Sequence, residues 1–359
     1  MRETEAIADA RRAMEICNAC RFCEGYCAVF PAMEKLREFT PTDLSYLANL
    51  CHGCRGCFYA CQYAPPHEFG INLPQSFSEV RAESYAEHAV PTGMGTVFQR
   101  NGTIVSLVSA GVIALVLMLA SSLINPAALF GVHTGPGAFY AVIPFGVLTW
   151  TSGIVFVVAL VLLATAVTRF WKSIVPATNA PMSVGRALID AATLRNLGGA
   201  GHGCNDRDES FSGLRRKMHH SMFYGFMLCF ASTVTGTLYD HVFNWVAPYG
   251  LLSLPVILGA LGGIGMVVGC TGLIWLKIVG DSEPVARRLL GADYALLTLL
   301  MLVAVTGLAL LAFRTTSAMG ILLAIHLGCV LSLFVLIPYS RFVHGAYRLA
   351  ALWRSAREI

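Results

Sequence analysis

The alternation of polar and apolar residues divides the chain into two parts. Residues 1–100 mix acidic, basic and apolar side chains and contain turn signals such as Pro65-Pro66. From Thr103 onward, long apolar stretches occupy 103–124, 141–167, 219–239, 254–278, 293–313 and 317–339. Each is close to or above the roughly 18–20 residues that a helix needs to cross a bilayer. The pattern predicts an α fold with a polar helical N-terminal domain and a six-helix transmembrane bundle, whose third span is rich in Ser, Thr and Gly.

Composition supports the membrane prediction. Of 359 residues, 56% are hydrophobic and only 13% are charged, whereas soluble domains carry about 25% charged residues. The net charge of +4 is small and dispersed, which argues against nucleic acid as a partner. The N-terminus, MRETEAIADARRAMEIC, has no apolar core, so we expect no signal peptide and a first domain that stays in the cytoplasm.

Basic residues concentrate in alternate connections between the spans. The segment 168–218 is rich in Lys and Arg, and the connection after span four contains Lys277, Arg287 and Arg288. Loops 125–140 and 240–253 contain no Lys or Arg. Since basic loops stay inside, both termini and the 168–218 loop are predicted to be cytoplasmic in a multi-pass protein of the bacterial inner membrane. The predicted domains are a cytoplasmic domain over 1–100 and a membrane bundle over 101–359.

Eight of the twelve cysteines form two copies of the pattern C-x2-C-x2-C-x3-C. Three thiolates at this spacing can wrap one [4Fe–4S] cluster from a single loop, and the fourth ligand then comes from elsewhere. In bacterial two-cluster ferredoxins, the fourth Cys of each run binds the other cluster. This pattern predicts that the first cluster is bound by Cys17, Cys20, Cys23 and Cys61, and the second by Cys51, Cys54, Cys57 and Cys27.

Two zinc sites are the alternative interpretation of these cysteines. Zinc modules pair two C-x2-C units across a longer spacer, and a third Cys at the same short step is not typical of them. Ala28 and Gln62 stand where a proline usually follows the fourth Cys of a ferredoxin run. His52, next to Cys51, is a candidate ligand, although a tuning or solvent-facing role is favoured.

Histidines at the ends of the third and last spans are candidate haem ligands, because ionisable residues in membrane spans are usually functional. His326 and His344 are 18 residues apart, five turns or about 27 Å on one face of a continuous helix, whose register Pro338 could disturb by a kink. Since the two spans are antiparallel, His219 or His220 is predicted to meet His344 at an inner b haem. His241 is predicted to meet His326 at an outer b haem. The sequence does not decide whether the chain binds one haem or two.

The remaining motifs carry less chemistry. The glycine-rich segment from Gly198 to Cys204 does not fit a nucleotide-binding fingerprint, and it is interpreted as a tight loop over the cofactors or a docking surface. Cys229, Cys270 and Cys329 are expected to be small packing residues within spans. No nucleophile–base pair and no flavin or NAD fingerprint is present, so no catalytic residue is identified and transfer of electrons rather than hydride is expected.

Three segments carry a family resemblance: ICNACRFCEGYCAVFPAME, YLANLCHGCRGCFYACQYAPPHEFGINLP and HLGCVLSLFVLIPYSRFVHGAYRLAAL. They resemble the tricarballylate or citrate utilisation protein B family over nearly the whole chain. The membrane half is more distantly similar to the cytochrome b subunit of respiratory nitrate reductases. The resemblance implies an FAD-containing partner dehydrogenase that oxidises tricarballylate to aconitate. It matches the eight cysteines, His219 or His220, His241, His326 and His344.

The function expected from these features is that of an oxidoreductase subunit for electron transport. It would reoxidise the partner's FAD and pass electrons through two clusters and b haem to membrane quinone. A first alternative reverses the flow, with quinol feeding a cytoplasmic reductase. A second is a transporter or redox sensor with a cluster domain, which the near absence of charges in the spans argues against.

Overall fold

The computed structural model describes residues 2–100, 102–175 and 183–357. Its N-terminal domain consists of six helices: α1 Glu5–Cys20, α2 Val29–Glu34, α3 Pro41–Leu50, α4 Gly56–Tyr59, α5 Leu73–His88 and α6 Met94–Arg100. The longer helices begin at capping residues, because a side-chain oxygen there accepts a backbone N–H that the first turn leaves free. Thr4, Thr40 and Asn72 cap α1, α3 and α5 in this way.

Helices α1, α3 and α5 pack around one apolar core. Ile7 and Met14 from α1, Leu47 from α3, and Phe77 and Val80 from α5 are fully buried in it. The half-buried thiols of both cysteine motifs pack against the edge of this core. The core therefore fixes the helix ends from which the cysteine loops project.

Six helices among the described residues are long and apolar enough to cross a membrane. They are α7 Gly102–Leu123, α10 Phe145–Ile174, α12 Leu214–His241, α13 Leu254–Val279, α14 Leu290–Phe313 and α15 Met319–Leu336, with α8 Pro126–Leu129, α9 Ala138–Val142 and α11 Val184–Ala192 as short connecting helices. The number of spans and the α fold class predicted from the apolar stretches are confirmed. Helix α10 starts four residues later than its stretch, and α12 starts five residues earlier.

Apolar side chains cover the outside of the bundle. Trp150 is 71% exposed, and Leu107, Val161 and Ile264 are also exposed. Such surface is unfavourable in water but matches the hydrocarbon of a bilayer. The six helices are consistent with a multi-pass membrane protein.

Helix α12 lies unusually close to α13 because glycines line their contact. A Cβ atom on Gly225 would lie 2.6 Å from the backbone nitrogen of Met266, and one on Gly262 would lie 2.7 Å from that of Cys229. Small residues let helix backbones approach in membranes, where dispersion replaces the hydrophobic effect as the driving force. This hairpin fixes the position of His219 near the start of α12.

The last span is not continuous with the segment that contains His344. Helix α15 ends at Leu336, a 3-10 turn covers Arg341–Val343, and helix α16 then runs over His344–Arg357. Pro338 explains the break, since proline lacks an N–H and clashes with the preceding turn of a helix. The expectation that His326 and His344 share one face of a continuous helix is therefore wrong. Helix α16 packs against α3, α10 and α11, at the junction of the two domains.

A short antiparallel strand pair is the only β-structure among the described residues: β1 Cys204–Asn205 pairs with β2 Phe211–Ser212. It lies between α11 and α12. Cys204 pairs with Ser212, and Asn205 with Phe211. The pair closes the glycine-rich segment into a loop against the N-terminal domain.

Candidate metal centres and histidine pair

The first three cysteines of the first motif line a cavity together with the last cysteine of the second motif. Cys17 and Cys20 occupy the final turn of α1, and Arg21 ends that helix with a positive φ of 56°. This left-handed residue turns the chain back, as helix ends commonly require. The cysteines around the cavity are Cys17, Cys20, Cys23, Cys61 and, from the neighbouring site, Cys57.

A second cavity gathers the other cysteines. Positive φ angles at Gly53 and Arg55, 67° and 69°, curl the loop between α3 and α4. The cysteines around this cavity are Cys27, Cys51, Cys54 and Cys57, and His52 lines it as well. The structure thus brings together the two crossed sets that the spacing predicts. Their role as ligands remains a prediction.

The donor set of the first cavity fits a cationic metal group. Burial, followed by the neighbouring thiols of Cys61, Cys23 and Cys20, raises the pKa of the Cys17 thiol to about 12. Burial, with Cys61 and Cys20, likewise raises the pKa of Cys23 to about 12. Thiols in such a site become thiolates only when a metal compensates their charge. Within the described residues, no three His, Cys, Asp or Glu side chains converge closely enough to hold a single metal ion. A [4Fe–4S] cluster needs instead four thiolates spread around it, and iron binding in this cavity remains a prediction.

The glycine-rich segment covers the second cavity at Cys54. Backbone N–H groups of Gly56 and Gly199 hydrogen-bond the Cys54 sulfur, which opposes the rise in its pKa that burial causes. Gly199 has a φ of +36°, and a Cβ atom there would lie 3.8 Å from Cys54 Sγ. Cys204 is fully buried in the same apolar cluster as Cys54. Of the two interpretations of this segment, the structure shows a tight loop over the second cysteine set.

Arginines on both sides of the contact between the N-terminal domain and the membrane half hold the second cysteine loop. Arg215 Nη1 donates to Gly53 O at 2.7 Å and also forms an ion pair with Asp206. Arg55 Nη1 donates to the carbonyl oxygens of Asp206 and Asp281 at 3.0 and 3.2 Å. The sequence alone does not identify these residues as contacts of the loop, because nothing in their local pattern shows which distant carbonyl groups they reach.

His219 and His344 form a ring pair at the junction between the domains. Their ring centroids are 6.1 Å apart, and the planes cross at 88°. Two imidazoles that bind one metal from opposite sides, each at about 2 Å, have ring centroids roughly 6 Å apart. The pair therefore fits two nitrogen ligands of one metal, and His219 and His344 would hold the haem expected at the inner site.

A hydrogen bond orients one of these two rings, that of His344. His344 Nδ1 lies 2.5 Å from the carbonyl oxygen of Arg341 and donates to it, which leaves Nε2 as the nitrogen with a free lone pair. Burial, followed by the nearby Arg348, lowers the pKa of His344 to about 4, so the ring is neutral at pH 7. His219 Nδ1 is buried and has no hydrogen-bond partner.

The neighbouring His220 points elsewhere. Its ring packs 5.6 Å from that of Tyr224, and its Nε2 is also buried without a partner. Spacing alone does not decide whether His219 or His220 is the partner of His344. The structure brings His219 to that position.

The structure does not bring the predicted outer pair together. His241 is exposed, its Nδ1 lies 3.1 Å from Thr237 O, and its ring lies 5.2 Å from Phe145. His326 Nδ1 lies 3.0 Å from Thr306 Oγ1, and its ring faces Gly307. In the part of the chain that the structure describes, no ring contact joins the two histidines, and the outer haem remains a prediction.

His52 lines the second cavity next to Cys51. Its Nδ1 is 2.9 Å from Leu50 O, and its Nε2 is buried without a partner. Burial holds the pKa of His52 well below its ordinary value, and Arg348 and His219 add to this effect through space. His52 therefore borders the second cavity as a neutral ring.

Comparisons with known proteins cover both parts of the chain. A family model described as citrate utilization protein B matches residues 97–359. Another, described as the citrate utilization protein B Fer4-like domain, matches residues 10–87. The Escherichia coli protein named citrate utilization protein B is 48% identical over 360 residues, which span 99% of this chain and 93% of that protein. No solved structure matches the chain.

Proposed function

This chain belongs to the citrate utilization protein B family, and we propose that it carries electrons from the reduced FAD of a partner dehydrogenase to membrane quinone. The Fer4-like domain indicates an iron–sulfur role in citrate or tricarballylate utilisation. The proposal adds the partner, the haem and the acceptor. By family resemblance, the partner's substrate is tricarballylate.

One observation carries this proposal: the candidate sites adjoin one another from the N-terminal domain to the bundle. Cys57 borders both cysteine cavities. The second cysteine loop also contacts the segments that contain the histidine pair: Arg215, four residues before His219, donates to Gly53 O, and Arg348, four residues after His344, donates to Cys51 O. His219 and His344 in turn form a ring pair. Electron carriers need such contiguity, because each must pass its electron to a neighbour.

Different sets of residues would hold the different electron carriers. The two crossed cysteine sets would each hold a [4Fe–4S] cluster, and His219 with His344 would hold a b haem. When bound, these groups accept and release single electrons, which links two-electron oxidation of a flavin to two-electron reduction of a quinone. His241 and His326 are the candidate ligands of a second haem.

Orientation is part of the proposal. The N-terminal domain contacts the membrane half at Arg215, Asp281 and Arg348. These three residues belong to the segments rich in Lys and Arg, so the domain lies at the basic end of the bundle. The opposite loops 125–140 and 240–253 contain no Lys or Arg. Under the positive-inside rule, the cluster domain and both termini face the cytoplasm of a bacterial cell.

Reconstitution tests the direction of flow. The purified chain is placed in liposomes with the FAD dehydrogenase and its tricarboxylate substrate. The absorbance of reduced b haem should appear first, and a quinone added to the membrane should then be reduced. Omitting the dehydrogenase should abolish both signals. Reduction of the haem by quinol, with none by the dehydrogenase and its substrate, would contradict the proposal and show flow towards a cytoplasmic reductase.

A further inference from the structure

Two arginines from different helices meet at one carbonyl oxygen of the second cysteine loop. Arg348 Nη2, on α16, donates to Cys51 O at 3.0 Å, and Arg81 Nη1, on α5, donates to the same oxygen at 3.2 Å. Arg81 also donates to Ala48 O at 2.8 Å and to Ser78 Oγ at 2.9 Å. Because Cys51 lines the second cavity, both guanidinium groups lie beside a predicted cluster ligand.

Neither guanidinium group has an anionic partner in the structure. Among the ion pairs within residues 2–100, 102–175 and 183–357, none joins a carboxylate to Arg81 or Arg348. Arg348 Nε is buried and has no hydrogen-bond partner. Burial, followed by repulsion from Arg81, lowers the pKa of Arg348, yet a guanidinium group keeps its charge at pH 7. Two like charges held at one oxygen are costly unless a negative charge compensates them.

The other arginines of this loop already have negative partners. Arg215 forms an ion pair with Asp206. Arg55 donates to the carbonyl oxygens of Asp206 and Asp281, and the negative charges of both aspartates attract it. The excess positive charge at the loop therefore comes from the two arginines that meet at Cys51 O.

The first cavity has no comparable charge. Among the described residues that line it, none is Asp, Glu, Lys or Arg. Arg21 and Glu24, in the same cysteine loop, are exposed and opposite in sign, and salt water screens them. Backbone N–H groups hydrogen-bond a sulfur in both cysteine sets, at Cys54 and at Cys61, so these bonds do not separate the two sites. Local charge does separate them.

We propose that the guanidinium groups of Arg81 and Arg348 compensate the negative charge of a [4Fe–4S] cluster in the second cavity and hold its midpoint potential above that of the first cluster. This inference rests on the proposed function, because it takes both cysteine sets as cluster ligands. Four thiolates make such a cluster anionic and reduction adds one more negative charge, so nearby positive charge favours the reduced form.

Burial acts on the potential in the opposite direction. Cys51 and Cys54 are buried, whereas the thiols of the first set are only half-buried. A buried site disfavours the extra negative charge of a reduced cluster. The inference is that two uncompensated positive charges beside the loop outweigh this effect.

The resulting difference in potential would direct electrons towards the bundle. One electron leaves the first cluster, which is oxidised, and the second cluster gains it and is reduced; no bond forms or breaks, and no proton moves. All residues that line the first cavity belong to the N-terminal domain. Arg348 connects the second loop to α16, which begins at His344. The site with the higher potential is therefore the one that contacts the segment of the histidine pair.

A redox titration followed by electron paramagnetic resonance tests this inference on the full-length, anaerobically purified protein. The second cluster should titrate at the higher potential, and Cys20→Ala, which should lack the first cluster, identifies its signal. Arg348→Gln removes the charge but keeps an N–H donor for Cys51 O. Its second cluster should become about tenfold harder to reduce, a fall of about 59 mV for a one-electron couple, with the first cluster unchanged.

Two further variants serve as controls. Arg348→Lys keeps the positive charge and should recover most of the shift. Arg216→Gln removes an arginine that donates to Thr193 O rather than to the cysteine loop, and it should leave both potentials unchanged.

The outcomes separate this inference from the proposed function. A second cluster with the lower potential would overturn the inference, as would an unchanged potential in Arg348→Gln. Equal shifts in Arg348→Gln and Arg348→Lys would also overturn it, because geometry rather than charge would then be responsible. If Arg348→Gln lost the second cluster, its retention in Arg348→Lys would support compensation by charge, and its loss there would overturn it. Lack of any cluster signal in the unsubstituted protein would instead contradict the proposed function itself.

Discussion

Replacing Cys27 by alanine should remove the second iron–sulfur cluster and leave the first, although Cys27 belongs to the first sequence motif. Replacing Cys61 should do the opposite. The reason is geometric: Cys27 lines the cavity of Cys51, Cys54 and Cys57, and Cys61 lines that of Cys17, Cys20 and Cys23. A lost thiolate leaves one iron without its protein ligand. Each variant should retain about four of about eight non-haem irons and lose most quinone reduction.

Electron paramagnetic resonance of the dithionite-reduced variants identifies the cluster that is lost. Two interacting clusters broaden each other's signals, so either variant should show a simpler spectrum of one cluster. A companion variant of the first three cysteines, Cys20→Ala, should match Cys61→Ala. Cys229→Ala, in α12, is the control and should keep all the iron. If Cys27→Ala matched Cys20→Ala instead, each motif would bind its own cluster and the crossed assignment would be wrong.

Replacing His219 by alanine should abolish haem binding at the inner site, whereas His220→Ala should retain it. His219 is the residue whose ring lies 6.1 Å from that of His344, and His220 packs on Tyr224 instead. Even supporting residues of a metal ligand contribute 10–100-fold in affinity, so loss of the ligand itself should leave almost no haem at this site. The adjacent position makes His220→Ala a control for damage to α12.

Pyridine haemochrome analysis of both variants measures this effect per chain. His344→Ala should give the same loss as His219→Ala. A second haem at the outer site would appear as a residual absorbance that His326→Ala removes. Retention of all haem in His219→Ala, with loss in His220→Ala, would show that the wrong neighbour had been assigned.

The cysteine sets could be predicted from sequence because their chemistry is encoded in short spacings. Cys17, Cys20 and Cys23 need only one helix end and one turn to converge, and the repeat supplies the crossed partner. The six spans could also be predicted from sequence, since bilayer thickness sets their length. The ends of the spans were harder to predict, because α12 already begins at Leu214 with a polar turn that hydropathy does not detect.

The histidines show where sequence reasoning ends. Spacing along ideal helices predicted two levels of paired rings, but Pro338 ends the regular geometry before His344. The choice between His219 and His220 depends on how α12 rotates against its neighbours, which single-residue spacing does not specify.

Metal and haem analysis of the anaerobically purified, full-length protein, with optical spectra before and after dithionite, tests most directly whether the chain holds both clusters and haem. The two cysteine sets and the histidine pair predict about eight non-haem irons with matching acid-labile sulfide, together with at least one b haem per chain. Zinc in place of iron, or iron–sulfur clusters without any haem, would contradict this prediction.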